Sequence, residues 1–396
     1  MEFTAGPTQR FVHAIDHRTW GRRSWASHKF NGTLEFVTGH PEELRTSAAE
    51  AGASTCNCMT NTHAEINVVP AARVSRASIH LGTAQDVLSR LPEESVHAVI
   101  TDPPYGLAAS TDVQQMLEDW SAGRTYFNEA PGYAGAEWDH AVPGPELWTQ
   151  VHRLLAPGGF VVAFGATRTI HHTAMALEVA GFEIRDLVHW TYPPGRPTSG
   201  DLGKLDAELG GRRATLRPSH EPITVARKPL EEELTLAENV VDFGTGAINH
   251  DVLTGEPGAI ATNRLASHDI ACTREACACG MSDVPGRQGL THLYPSDNID
   301  APGQLHHLKP GRAERPIGPD GTTHLTVKPL SLMRTLVRAF SLEGQTVLDP
   351  FLGSGTTAEA AVLEGRHIVG CEMAPEFLPL IAQRIARAAK SRSGSA

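Results

Sequence analysis

The sequence predicts an α/β protein whose core is a doubly wound parallel sheet. Apolar runs of strand length alternate with stretches of helical spacing from residue 78 to 190, and the alternation resumes from 327 to 390. In the second stretch, TVLDPF (346–351) empties into a glycine-bearing turn before the next helix. Ligand crevices form at such carboxyl ends of sheet strands.

In chain order, SIHLG (78–82) reads as a strand and DVLSRL as a helical turn. VHAVI (96–100) is a buried strand that stops at TDPPYG, because two consecutive prolines continue neither a ladder nor a helix. ELWTQVHRLLAP (146–157) is a helix closed by Pro-Gly-Gly, FVVAFG (160–165) a strand, 168–180 a helix and EIRDLVHW (183–190) a strand. Residues 193–320 break the rhythm: they are rich in Gly, Pro and charge, with one obvious strand, EPITVARK (221–228). Then follow a helix at VKPLSLMRTLVRAF (327–340), the strand TVLDPF and a Gly-closed helix at TAEAAVLEG (357–365). HIVGCEM (367–373) is the last strand, and PEFLPLIAQRIARAAK (375–390) a helix with Pro in its first turn. The expected organisation is an extension without strong periodicity (1–75), one half of a sheet domain (76–192), an insertion (193–320), the other half (321–391) and a short tail (392–396).

A hydrophobic fraction of 40% in 396 residues supports a sizeable core and excludes wholesale disorder. No apolar run approaches the roughly 18 residues of a membrane span, and the first residues lack the apolar region of a secretory signal. A cytoplasmic protein is expected. The net charge of −11 argues against coating nucleic acid through the overall field. Two segments run against it: residues 196–228 carry seven Lys/Arg against four Asp/Glu, and 308–338 carry six against two. Such segments suit a phosphate-contacting face beside a cleft, although solvated loops have the same composition. Cys56, Cys58, Cys272, Cys277, Cys279 and Cys371 are too few to staple the chain. Their two Cys-x-Cys pairs are spaced more tightly than usual zinc ligands, so free thiols are expected. His171–His172 and His306–His307 read as surface or loop histidines.

Two motifs carry chemistry. In LDPFLGSGTT (348–357), a strand delivers Asp349 and Phe351 to its end, and Gly353 and Gly355 allow a tight turn into a helix. The next strand ends in CEM, which places Glu372 to meet ribose hydroxyls. The loop has two glycines and no following Lys, so it fits a nucleoside without phosphates, such as S-adenosylmethionine, better than a nucleotide. In TDPPYG (101–106), the Asp102 carboxylate and the Pro103 carbonyl can accept both hydrogens of an exocyclic amine, while Tyr105 stacks on the base.

With these motifs the chain resembles the amino-methyltransferases of DNA, which methylate N6 of adenine or N4 of cytosine. It is similar to their β-group, in which the Asp-Pro-Pro-Tyr motif precedes the cofactor motif; here the two aspartates stand 247 residues apart. IHLGTAQDVLSRLPEESVHAVITDPPYGL, VHRLLAPGGFVVAFG, HLTVKPLSLMRTLVRAF, RPSHEPITVARKPL and ENVVDFGTGAINHD share the likeness, which covers about residues 78–390. It implies a Rossmann-like, S-adenosylmethionine-dependent methyltransferase sheet with permuted motif order and a target-recognition region at 193–320. Double-stranded DNA is the implied substrate. The catalytic motif would be Asp102, Pro103, Pro104 and Tyr105. Cofactor contacts would be Asp349, Phe351, Gly353, Gly355, Thr356 and Glu372, with Lys328 from the motif before the cofactor strand. Thr83 follows the Gly of HLG where the family usually has an acidic residue, a departure that bears on the adenine end of the cofactor. Arg196, Lys204, Arg212, Arg213 and Arg217 are the expected DNA contacts.

The leading Asp favours N6 of adenine. N4 of cytosine is the first alternative, followed by an RNA or protein substrate, or a catalytically dead nucleic-acid binder. No nuclease motif is evident, so any cognate restriction nuclease would be a separate chain; the protein itself would be a monomer or homodimer.

Overall fold

The computed structural model describes residues 9–14, 32–38, 75–108, 110–130, 132, 135–192, 199–216, 219–254, 257–267, 291–293, 315–318, 321–324 and 326–394. The strands are β1 (Gln9–Ala14), β2 (Gly32–Thr38), β3 (Ser75–Leu81), β4 (Val96–Thr101), β5 (Leu155–Phe164), β6 (Glu183–Thr191), β7 (His220–Arg227), β8 (Arg264–Ser267), β9 (Thr291–Leu293), β10 (Thr346–Asp349) and β11 (His367–Glu372). They form one sheet in the order β1-β2-β3-β11-β10-β4-β5-β7-β6-β8-β9. At its centre β3, β11, β10, β4 and β5 are mutually parallel, as the alternation of elements predicts. The sheet is nevertheless mixed rather than purely parallel, because β7 runs antiparallel to both β5 and β6.

The helices are α1 (Ala84–Leu88), α2 (Val113–Ser121), α3 (Pro145–Leu154), α4 (Ile170–Val179), α5 (Leu236–Phe243), α6 (His250–Thr254), α7 (Leu330–Phe340), α8 (Thr356–Leu363) and α9 (Leu378–Gly394). They cover both sheet faces. Successive strand residues point to opposite sides, so Val99, Val161 and Leu348 join Leu88, Trp148, Val151 and Leu177 in one core. Ile100, Val162 and Val347 join Leu332, Leu336, Ala360, Ile381 and Ile385 in the other. Every residue of β5 is buried, which is why its sequence shows a continuous apolar run rather than alternation.

Four features depart from the sequence-based expectation. EPITVARK lies inside the segment 193–320 that the sequence sets aside as an insertion, yet as β7 it is a sheet strand between β5 and β6. A single strand amid polar loops carries no sign of the partners it will find. Likewise β1 and β2, within the aperiodic 1–75, extend the sheet beyond β3. Helix α7 starts at Leu330 rather than 327, because Pro329 keeps an extended ψ of 133° as N-cap and a residue before proline avoids the helical region. Lys328 is thereby left off the helix. His172, expected at the surface, is buried in the first turn of α4.

The turn from β10 to α8 needs its glycines. Gly353 and Gly355 have φ of +52° and +82°, and a Cβ on Gly355 would lie 3.0 Å from the Ile381 backbone. Gly355→Ala should therefore destabilise the fold by about 2 kcal/mol, from left-handed strain and crowding of α8 against α9. Thermal unfolding of the variant should show a midpoint several degrees below wild type.

Candidate active site

Strand β4 ends at Thr101 beside β10, with Ala98 and Val99 opposite Val347 and Leu348. This pairing brings the two distant motifs to one crevice. The Thr101 hydroxyl donates to Asp349 Oδ1 at 2.7 Å, and the Phe351 N–H donates to the same oxygen at 3.0 Å. Asp349 is buried, and its carboxyl pKa is raised to about 6, burial outweighing those hydrogen bonds. These hydrogen bonds tie the glycine loop to the strand that leads into the Asp-Pro-Pro-Tyr turn.

Glu372 ends β11 across the loop. Its Oε2 accepts the Gly353 N–H at 2.7 Å and its Oε1 the Ala374 N–H at 2.8 Å. Burial pushes its pKa up to about 7 despite these donors, with Asp349 adding repulsion. The crevice thus holds two buried carboxyl groups whose described hydrogen bonds come from hydroxyl and N–H donors. Thr83 stands at the end of β3, where Gly82 N–H donates to the Glu372 carbonyl at 2.9 Å. Its side chain caps α1, donating to Asp86 Oδ2 at 2.8 Å and accepting the Asp86 N–H at 3.2 Å. Thr356 is buried with its hydroxyl 3.3 Å from Ser354 Oγ, and Phe351 packs half-buried against the core. His324 closes one side of the loop, its ring 3.0 Å from where a Gly353 Cβ would be. Burial lowers its pKa, so the ring is neutral at physiological pH.

The Asp-Pro-Pro-Tyr turn is held from outside. Asp139 accepts the N–H groups of Tyr105 and Gly106 on Oδ1 at 2.6 and 3.0 Å, and that of Leu107 on Oδ2 at 3.4 Å. Thr169 donates its hydroxyl to the Tyr105 carbonyl at 2.6 Å. Inside the pocket, Lys328 Nζ donates to Asp102 Oδ2 and lies 3.6 Å from Glu221 Oε2. Tyr105 donates its hydroxyl to Glu221 Oε2 at 3.2 Å. Burial and then the two carboxylates hold the Tyr105 pKa well above its usual value. Burial works to lower the Lys328 pKa, but Asp102 and Glu221 more than compensate and raise it. Asp102 Oδ1 is buried and makes no hydrogen bond.

The structure gathers Asp102, Pro103, Pro104, Tyr105, Asp349, Phe351, Gly353, Gly355, Thr356, Glu372 and Thr83 along neighbouring strand ends. Lys328, expected among the cofactor contacts, is found on Asp102 of the Asp-Pro-Pro-Tyr turn. Asp139, Thr169 and Glu221 were not singled out by sequence. Asp139 ends a single 3-10 turn, Glu137–Asp139, and Glu221 is the one carboxylate of a strand whose next six residues are buried, which is the signal that could have found it. Among the expected DNA contacts, Lys204, Arg212 and Arg213 are exposed. Arg212 donates to the Glu208 carbonyl at 3.0 Å, and Arg213 to the Ser199 carbonyl at 2.7 Å and Asp201 at 3.3 Å. Arg196, Arg217, His306 and His307 lie outside the described residues, as do all the cysteines except buried Cys371. Among the described residues no group of three His, Cys, Asp or Glu could hold a metal, and no helix is long and apolar enough to cross a membrane.

Known DNA methyltransferases resemble this chain. The type II methyltransferase M.HindIII of Haemophilus influenzae is 28% identical over 320 residues, 72% of this chain and 87% of that one. M1.MboII of Moraxella bovis is 36% identical over 87 residues, 22% of this chain and 34% of that one. The solved PvuII DNA methyltransferase, described as cytosine-N4-specific, aligns with 81% of this chain and 93% of its own at 15% identity and a TM-score of 0.47. The N6/N4 methyltransferase family model, described as DNA methylase, matches residues 96–383, and the chain therefore belongs to the N6/N4 family of DNA methyltransferases.

Proposed function

We propose that this DNA methyltransferase transfers a methyl group from S-adenosylmethionine to N6 of an adenine flipped out of double-stranded DNA. The observation that carries the reading is the split state of Asp102: Lys328, whose Nζ lies 5.4 Å from the Tyr105 ring centroid, occupies Oδ2, while Oδ1 is buried without a hydrogen-bond partner. An unpaired buried acceptor costs free energy unless something fills it. An exocyclic amine of a base supplies the missing donor. The aspartate at the head of the motif, on the family resemblance, favours adenine over cytosine.

The crevice chemistry suits the cofactor. Asp349 and Glu372 are carboxyl groups with raised pKa values, and a sulfonium compound brings the cation they lack. The described glycine loop carries no Lys or Arg for a phosphate. Glu372, and to a lesser extent Thr83, would hold the nucleoside, with Gly353 and Gly355 allowing close backbone approach. When bound, S-adenosylmethionine supplies a methyl group on an electrophilic sulfur.

The chain's own residues then orient the acceptor. Asp102 Oδ1 and the Pro103 carbonyl take the two amine hydrogens and turn the nitrogen lone pair out of conjugation toward the methyl. As the nitrogen gains the methyl it becomes cationic and sheds one proton, with Asp102 the acceptor in place. Tyr105 stacks on the base, returning about 1–3 kcal/mol of the few kcal/mol spent in flipping it. Lys204, Arg212 and Arg213 would meet backbone phosphates beside the cleft, with Arg196 and Arg217 from the same segment.

Single-molecule sequencing of DNA from a methylation-free host expressing the chain should show N6-methyladenine at one sequence motif. N4-methylcytosine there instead would overturn the choice of base and leave the chemistry. Asp102→Ala should lose methyl transfer by about a thousandfold or more while binding cofactor normally, since its contacts serve the amine. Tyr105→Ala should fall about a hundredfold, and Tyr105→Phe by well under tenfold, in the same transfer assay, because a ring can stack without its hydroxyl. Cofactor affinity should rise as Glu372 ionises through about pH 7, because the carboxylate accepts the ribose hydroxyls and attracts the sulfonium. Calorimetry of Glu372→Gln should give weaker binding with a flatter pH dependence over the same range.

A further inference from the structure

One buried carboxylate in the pocket still lacks a role. Glu221 is the second residue of β7, with its side chain 12% exposed. It stands in a strand whose next six residues are all buried. A carboxylate there is costly unless it is paired, and its Oε2 reaches two residues of the motifs: the Tyr105 hydroxyl at 3.2 Å and Lys328 Nζ at 3.6 Å. Lys328 is itself bound to Asp102. Two carboxylates and one ammonium therefore share a pocket walled by Tyr105 and Phe164, whose ring centroids lie 5.4 and 5.0 Å from Nζ.

This arrangement bears on the reaction read above, and the inference rests on that reading. Lys328 is useful because it fixes Asp102 by one oxygen and leaves the other for the amine. It is also harmful, because methyl transfer makes the target nitrogen cationic, and a cation held on Asp102 opposes that charge. In a pocket shielded from water this opposition is strong. A second carboxylate in contact with Lys328 removes it. We propose that Glu221 is a positioning residue for methyl transfer, offsetting the charge of Lys328 so that Lys328 can orient Asp102 without repelling the charge that develops on the amine. The Tyr105 hydroxyl bonded to the same oxygen keeps the stacking ring in register with this pair. The directions of the Lys328 and Tyr105 pKa shifts agree, since both groups are held protonated beside the two carboxylates.

The charge role separates from a shape role by comparing Glu221→Gln, which keeps the length of the side chain, with Glu221→Asp, which keeps its charge. Each full-length variant is assayed for single-turnover transfer of labelled methyl from S-adenosylmethionine to unmethylated genomic DNA, and for cofactor affinity by calorimetry. Glu221→Gln should slow transfer about tenfold to a hundredfold with cofactor affinity changed by less than about threefold. Glu221→Asp should retain more activity than Glu221→Gln despite its poorer fit. Tyr105→Phe, which cuts the hydroxyl contact and leaves the carboxylate charged, should lose less than Glu221→Gln; if both Glu221 variants bind no cofactor, Glu221 holds the fold rather than the charge balance and the proposal falls. Wild-type rates in Glu221→Gln would overturn the proposal. So would an Asp variant no better than the Gln variant, or a Tyr105→Phe loss as large as that of Glu221→Gln. If the wild-type protein itself transfers no methyl group to DNA, the functional reading falls and the proposal with it; transfer by wild type with any of the overturning patterns removes the proposal alone.

Discussion

The hydrogen bond from Thr101 to Asp349 joins residues 248 positions apart, and the rest of the site depends on the adjacency it marks. Strands β4 and β10 run parallel at the centre of the sheet, so both motifs empty from the same edge. Thr101 immediately precedes the catalytic turn, and Asp349 opens the glycine loop. One buried contact therefore sets the distance between the Asp-Pro-Pro-Tyr turn, which on the proposed reading orients the acceptor, and the glycine loop, which on that reading cradles the donor. Proximity of this kind is worth several kcal/mol of barrier when it is built in before the reactants arrive.

Around that contact the protein arranges carboxyl groups in two sets of opposite character. In the cofactor crevice, Asp349 and Glu372 are held by backbone N–H and hydroxyl donors and have no cation in the contacts described. In the acceptor pocket, Asp102 and Glu221 share Lys328. The first set is short of positive charge and the second nearly balanced. A sulfonium and a neutral base would each meet the environment that suits it, and the electrostatic contrast lies within one cleft. Farther out, Asp139 holds the catalytic turn through three backbone N–H groups, which rigidifies a segment whose prolines already restrict it.

Much of this was legible in the sequence. The central strands have apolar runs with abrupt ends, and Pro-Pro and Gly-x-Gly are local punctuation, so the motifs and their strand-end placement could be read directly. Residues Asp102, Tyr105, Asp349, Gly355 and Glu372 needed only that reading. What escaped depends on partners distant in the chain. Strand β7 reads as a stray strand because its neighbours β5 and β6 precede it and the sequence does not announce an antiparallel insertion. Glu221 looks like one polar residue at a strand start, and Lys328 like the first turn of α7; only Pro329 hints that Lys328 stands off the helix. Thr169 and Asp139 act on backbone groups of the turn, and such contacts leave no spacing pattern.

The pairing of Thr191 with His220, continued by the Tyr192 N–H donating to the Ser219 carbonyl at 3.0 Å, has a consequence for how the molecule can diversify. The ends of the long connection between β6 and β7 lie side by side, as in a hairpin, so the sheet senses little of what is strung between them. Doubling the length of such a connection costs only about 0.6 kcal/mol in closure entropy. The segment is therefore an exchangeable cassette on a fixed mount. The mount is not inert, however: its last paired residue is His220, next to Glu221, so a pull on the connection arrives one residue from the Lys328 and Tyr105 contacts.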